Sequence, residues 1–139
     1  MAENKTFQTV EMRINHVALY CIDLEGMKAF FERYFDAQSN ERYHNPRTGL
    51  STYILSFNEG STRLEIMSRP SLQTLDSTLN YIGYAHLSFS VGRRERVDAQ
   101  TRRLADDGYR VLSGPRVTGD GYYESTILGP EDIQLEITE

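Results

Sequence analysis

The sequence predicts an α+β protein made of two βαβββ modules with cupped mixed sheets, and three observations carry that expectation. Apolar residues alternate with a period of two over short runs, a helical aromatic stripe follows the first of these, and the same order of elements starts again near residue 83. The 139 residues suffice for one domain, 1–139, holding modules at approximately 12–68 and 83–138.

The first run spans Met12 to Ile22, with Val17, Leu19 and Cys21 on one side and His16, Ala18 and Tyr20 on the other. Asp23 then has the chemistry of a helix N-cap, and Met27, Phe30, Phe31, Tyr34 and Phe35 recur at helical spacing over 24–35, a stripe suited to packing on the sheet. A weakly patterned strand near 38–43 and the loop HNPRTG (44–49) lead to the strands STYILSF (51–57) and TRLEIM (62–67), joined by an NEG turn at 58–60. A polar connector with a short helix over 71–79 precedes the second module. In GYAHLSFSV (83–91), Ala85, Leu87, Phe89 and Val91 alternate with His86, Ser88 and Ser90. A helix over 93–107 stops before Gly108, and YRVLS (109–113), the turn-rich GPRVTGDG (114–121), YYESTIL (122–128), the turn GPED (129–132) and IQLEI (133–137) complete the unit.

Composition narrows the functional classes. The apolar fraction is 39%, the charged fraction 25% and the net charge −5, with no apolar run long enough for a membrane helix. MAENKTFQTVEMR lacks the basic start and apolar centre of a leader, and a single cysteine leaves no disulfide framework, so a soluble, cytoplasmic protein is expected. Cys21 falls on the helix-packed side and reads as buried and inert. The arginines of RRER (93–96) and RR (102–103) interleave with acidic residues on a helix, which describes a solvated face and not a nucleic-acid surface.

The repeat allows the two modules to be compared position by position. His16 and His86 are 70 residues apart and Glu65 and Glu136 are 71 apart; from His to Glu is 49 residues in the first module and 50 in the second. Each His lies on the first strand of its module and each Glu on the last, and strand parity turns all four away from the helix-packed side. If each sheet curls around the other module, these faces line one shared cup. Two imidazoles and two carboxylates there would form a compact divalent-metal site with positions left for water or substrate.

Beyond these positions, the motifs NHVAL, RLEIM, AHLSFSV and GPEDIQLEI, covering Ile14 to Ile137, resemble the vicinal oxygen chelate superfamily: glyoxalase I, methylmalonyl-CoA epimerase, extradiol dioxygenases and the bleomycin- or fosfomycin-resistance proteins. The resemblance implies a cupped metal site built from paired modules, commonly completed across a homodimer. The set His16, Glu65, His86 and Glu136 is similar to the His, Glu, His, Glu ligands of the bacterial glyoxalase I type. This implies a divalent metal, with nickel or cobalt favoured and zinc, iron or manganese as alternatives. It also implies a lyase acting by proton transfer on the hemithioacetal of a 2-oxoaldehyde and a thiol, with Glu136 as the catalytic base and Glu65 serving the opposite face. A metal-dependent epimerase, an extradiol-type dioxygenase and a non-catalytic small-molecule binder of the resistance type are the alternatives on the same fold.

Substrate contacts are expected from Tyr20, Arg69 and Tyr122. Glutathione-using glyoxalases typically carry Arg four residues after the first ligand and Asn four after the second, where this chain has Tyr20 and Arg69. His44 reads as an exposed loop histidine, and Arg47, Arg69 and Arg116 as surface charges able to meet an anion. Of Tyr122 and Tyr123, alternation sends one to the cup and the other to the core.

Overall fold

A computed structural model describes residues 12–58 and 60–139; the expected turn at 58–60 therefore includes one position, residue 59, outside the described residues. The first module runs β1 (His16–Tyr20), α1 (Leu24–Phe35), β2 (Gln38–Ser39), β3 (Tyr43–His44), β4 (Ser51–Ser56) and β5 (Arg63–Ser68). The second runs β6 (Leu87–Ser90), α2 (Arg94–Asp106), β7 (Val111–Val117), β8 (Tyr123–Leu128) and β9 (Gln134–Thr138). Strand order is β1-β5-β4-β2, with β3 also on β4, in one sheet, and β6-β9-β8-β7 in the other. In both, the first and last strands of a module lie side by side and parallel, and the remaining pairings are antiparallel.

Local chemistry explains the helices. Asp23 caps α1 by accepting from the Gly26 N–H at 2.9 Å, and Leu24, Met27, Phe30, Phe31 and Tyr34 bury one face. α2 buries only Val97, Thr101 and Leu104, and its arginines stay in solvent. The chain leaves α2 through Gly108 at φ 96°, a left-handed turn in which the Tyr109 N–H donates to the Leu104 carbonyl at 2.9 Å.

Several elements differ from the sequence expectation. Segment 71–79 forms turns, with no helix. The strand expected over 83–91 is restricted to Leu87–Ser90, and Tyr84 and Ala85 are exposed, because the partner β9 begins only at Gln134. Likewise β1 begins at His16 and not at Met12, since its partner β5 begins at Arg63. The weak strand at 38–43 is two short pieces, β2 and β3, each on β4. The turn expected at 114–121 begins later, because β7 continues through Val117 over two register shifts against β8. Gly114 makes this possible: at φ 80°, a Cβ there would stand 2.5 Å from the Glu124 carbonyl oxygen.

One apolar core joins the modules, and it lies on the helix side of both sheets. Phe89 of β6 sits with its ring centroid 4.1 Å from Phe35, 5.2 Å from Phe57 and 6.0 Å from Phe31, so the stripe of α1 serves its own sheet and the other module together. Polar links reinforce the contact: the Tyr34 hydroxyl donates to Asp107 at 2.6 Å, and the Glu131 carboxylate accepts from the Ile22 and Asp23 N–H groups at 2.7 and 3.1 Å. Because the modules meet on these faces, the opposite faces turn away from each other within a chain. This corrects the expectation that each sheet curls around the other module.

Phe31 has no exposed surface and touches rings from both modules. Phe31→Ala is expected to cost about 3–5 kcal/mol, read as a lower denaturant midpoint with a single transition retained.

Candidate functional site

In a parallel pair, directly opposed residues project to the same face, so register decides which side chains meet. Ala18 is paired with Glu65, and His16 lies two residues before Ala18 on the same face. Ser88 is paired with Glu136, and His86 lies two residues before Ser88. The second half-site thus repeats the first, with Leu64, Ile66, Leu135 and Ile137 buried behind them at 4%, 0%, 0% and 0% exposure.

Two imidazole–carboxylate pairs result. His16 Nε2 is 3.5 Å from Glu65 Oε2, and His86 Nε2 is 3.1 Å from Glu136 Oε2. Ligand atoms about 2.0–2.2 Å from a cation and at right angles about it stand roughly 3 Å apart, so each pair has the separation of two adjacent donors on one divalent ion. The donor chemistry fits as well: imidazole nitrogen with carboxylate oxygen suits first-row divalent metals. Within one chain the pairs remain separate, and among the described residues no three His, Cys, Asp or Glu side chains are grouped to hold a metal. The four residues expected to cluster therefore form two separate His–Glu pairs on outward faces, a consequence of the helix-side core.

The other expected site residues are distributed around these pairs. Tyr20, on the His16 face, is 52% exposed and Tyr122 is 57% exposed, while Tyr123 packs against the core and donates its hydroxyl to Asp98 at 2.5 Å. Arg69 is exposed and lines a cavity of about 400 Å³ on the helix side of the first sheet, together with Arg42, His44 and Ser51. There His44 is tied to structure, its Nδ1 lying 2.7 Å from the buried Ser51 hydroxyl. Arg47 is exposed in the 44–49 loop, whose Asn45 side chain accepts from the Arg47 N–H at 3.0 Å. Arg116 donates to the Ser113 hydroxyl at 2.8 Å and stands opposite Glu124 in the β7–β8 register. Cys21 is 2% exposed, and burial, followed by the nearby Glu131 and Asp23 carboxylates, pushes its thiol up to about 12. That agrees with an inert thiol.

Three residues near the pairs were not singled out in the sequence. Glu124 of β8 shares the open face with Glu136, since Thr126 is paired with Glu136 and Glu124 is two residues away. Burial first, then the Glu136 charge, raises its carboxyl pKa, with Arg116 and His86 acting in the opposite sense. Alternation in YYESTIL was the available signal, because Ser125 and Ile127 are its buried positions. Arg63 is paired directly with His16 and lines a cavity of about 340 Å³ with Gln38, Asn40 and Ser56. Asn15, one residue before the strand, contacts both Arg63 and His16.

Two βαβββ modules, each with its first and last strands paired in parallel, define the α+β class of the protein. Residues 13–137 match the family model of the Glyoxalase/Bleomycin resistance protein/Dioxygenase superfamily, and the chain belongs to that superfamily. It is 27% identical over 127 residues to the uncharacterized protein YqjT of Bacillus subtilis, covering 89% of this chain and 96% of that one. Among solved structures it is similar to a glyoxalase family protein from Enterococcus faecalis, with TM-score 0.75 and 25% identity over 91% of this chain and 97% of that one. It shares the fold of the trypanothione-dependent glyoxalase I of Leishmania major, with TM-score 0.73 and 12% identity over 93% and 87% of the two chains. Among the described residues, no helix is long and apolar enough to cross a membrane.

Glu124 gives a pH prediction. Its folded pKa lies above its unfolded value, so folding loses stability as pH rises from the unfolded toward the folded pKa. Glu124→Gln is expected to be the more stable protein at neutral pH, by less than about 1 kcal/mol because the site is solvated. The difference should vanish in acid, where the carboxyl is protonated in both states, as checked by denaturation of metal-free protein across pH.

Proposed function

We propose that the protein is a metal-dependent lyase of glyoxalase I type, transferring a proton between adjacent carbons of the hemithioacetal of a 2-oxoaldehyde and a thiol. The observation that carries this reading is the repetition, at one register in two modules, of an imidazole and a carboxylate at the separation of neighbouring metal ligands. His16, Glu65, His86 and Glu136 would hold a divalent cation, nickel or cobalt by family likeness. When bound, the cation supplies Lewis acidity to the substrate oxygens and makes the neighbouring C–H acidic. Glu136 takes that proton and delivers it to the adjacent carbon, and Glu65 offers a carboxylate on the opposite face. Tyr20, Arg69 and Tyr122 would contact substrate. Tyr20 and Arg69 stand where glutathione-using members carry Arg and Asn, which favours a thiol other than glutathione.

The site is completed, on this reading, by a second copy of the chain. Each pair sits on an outward face, and β1 and β6, which begin at or just after the two histidines, are the edge strands of their sheets. A twofold dimer placing the first half-site of each copy against the second half-site of the other forms two equivalent four-ligand sites.

Elemental analysis of the purified protein, together with assays on methylglyoxal plus several thiols, tests the reaction. Nickel or cobalt with isomerisation supports it, whereas iron with oxygen uptake on a catechol would point to the dioxygenase chemistry of the same fold. Glu136→Gln should fold normally and lose turnover; unchanged activity would sink the proton-transfer role.

Subunit completion has a sharper test. His16→Ala and His86→Ala should each bind no catalytic metal and be inactive alone. After unfolding and refolding as an equal mixture, half the dimers are mixed and each mixed dimer has one intact site, so about a quarter of wild-type activity should return. A site closed within one chain would restore none.

A further inference from the structure

The polar contacts around His16 fix more than its position. Arg63 Nη2 lies 2.6 Å from Asn15 Oδ1, and the same oxygen lies 2.9 Å from His16 Nδ1. A guanidinium only donates, so the Asn15 atom it meets is the acceptor oxygen and not the amide nitrogen. His16 Nδ1 approaches an atom that has no hydrogen to give and must itself carry the proton. In the neutral ring the lone pair then belongs to Nε2, which faces Glu65 Oε2 at 3.5 Å. A neutral His16 therefore turns a lone pair and not a proton toward that carboxylate, an arrangement that a bound cation would complete.

We propose that Asn15 and Arg63 are positioning residues that hold His16 as its Nδ1–H tautomer and so prepare Nε2 as a metal donor. This rests on the metal-dependent reading above. The second module lacks the device: Ala85 precedes His86 where Asn15 precedes His16, and Gln134 stands two residues before Glu136 where Arg63 stands two before Glu65. His86 therefore has no such acceptor on its preceding residue. The first half-site is preorganised and the second is not, although their backbones share one register.

The experiment uses the full chain labelled with 15N at histidine, freed of metal, in alkaline buffer where imidazoles are neutral. Long-range 1H–15N spectra should show His16 with a protonated Nδ1 and a bare Nε2. Asn15→Leu and Arg63→Met should each release it to a mixture of tautomers, while Asn15→Asp, which keeps an acceptor oxygen, should retain the wild-type pattern. In competition with a chromophoric chelator, Asn15→Leu should bind nickel about 10–100-fold more weakly, with Asn15→Asp near wild type. A wild-type His16 carrying its proton on Nε2 overturns the proposal. So does an Asn15→Leu protein, folded by circular dichroism, whose tautomer and affinity are unchanged. If Asn15→Leu fails to fold, the wild-type spectrum and Arg63→Met decide. If the wild-type protein binds no divalent metal, the metal reading falls, while the spectra still decide whether the relay exists.

Discussion

The parallel pairing of the first and last strands of each module is the constraint on which the rest depends. It places residues far apart in sequence on one face, with the histidine two positions ahead of the residue opposite its glutamate, and does so identically in both modules. What pins the register is the other face. Leu64 and Ile66, like Leu135 and Ile137, are buried, and a slip of one residue would exchange them for Glu65 and Glu136. The apolar half of each strand thus determines where its polar half points.

A second consequence follows from sharing one core. α1 lies between the modules, with Phe31 and Phe35 against Phe89 and Tyr34 against Asp107, so the helix-side faces are consumed in holding the chain together. The open faces then look outward, and each carries one His–Glu pair. Separation of the two His–Glu pairs therefore follows from packing the modules against each other on their helix sides. Among the described residues, β1 and β6 are the outer strands of the sheets that carry the pairs, the geometry the proposed second copy would use.

Much of this was legible in the sequence, because period-two alternation reports sidedness directly. Val17, Leu19 and Cys21 against His16, Ala18 and Tyr20, echoed in AHLSFSV, pointed to the repeat and to both histidines, as LEIM and IQLEI did to both glutamates; helical spacing over 24–35 gave the stripe of α1. Pairing lengths were not legible. A strand ends where its partner ends, so residues 83–86 and 12–15 look like strand but have no strand partner among the described residues, and β7 continues through Pro115 because Gly114 lets it approach β8. Nor could alternation say which faces of two sheets meet. The same pattern serves a cup and a back-to-back arrangement, and the choice lies in aromatic contacts such as Phe35 with Phe89 that join separate modules. Glu124 was missed for a different reason: its counterpart by register in the first module is Thr52, so comparison between repeats passed over it.

That difference shows how far the repeat has diverged in chemistry while keeping its geometry. Thr52 is opposite Met67, whereas Glu124 is opposite Thr138 and adds a carboxylate beside Glu136. Conversely, the first module has Arg63 and Asn15 beside His16, and a cavity whose other polar lining is uncharged, from Gln38, Ser39, Asn40 and Ser56. Burial and the Glu136 charge raise the pKa of the Glu124 carboxyl, a perturbed carboxylate that the first module, with Thr52 at that register, does not have. A site assembled from one of each, as proposed, would be polarised, with a guanidinium on one wall and paired carboxylates on the other. On the proposed proton-transfer reading that asymmetry would matter, because a substrate able to bind equally well in either sense would present the wrong carbon to Glu136 half the time. Identical registers bring a histidine and a glutamate together in each module, at 3.5 and 3.1 Å, and the residues that break the repeat would give the proposed site its direction.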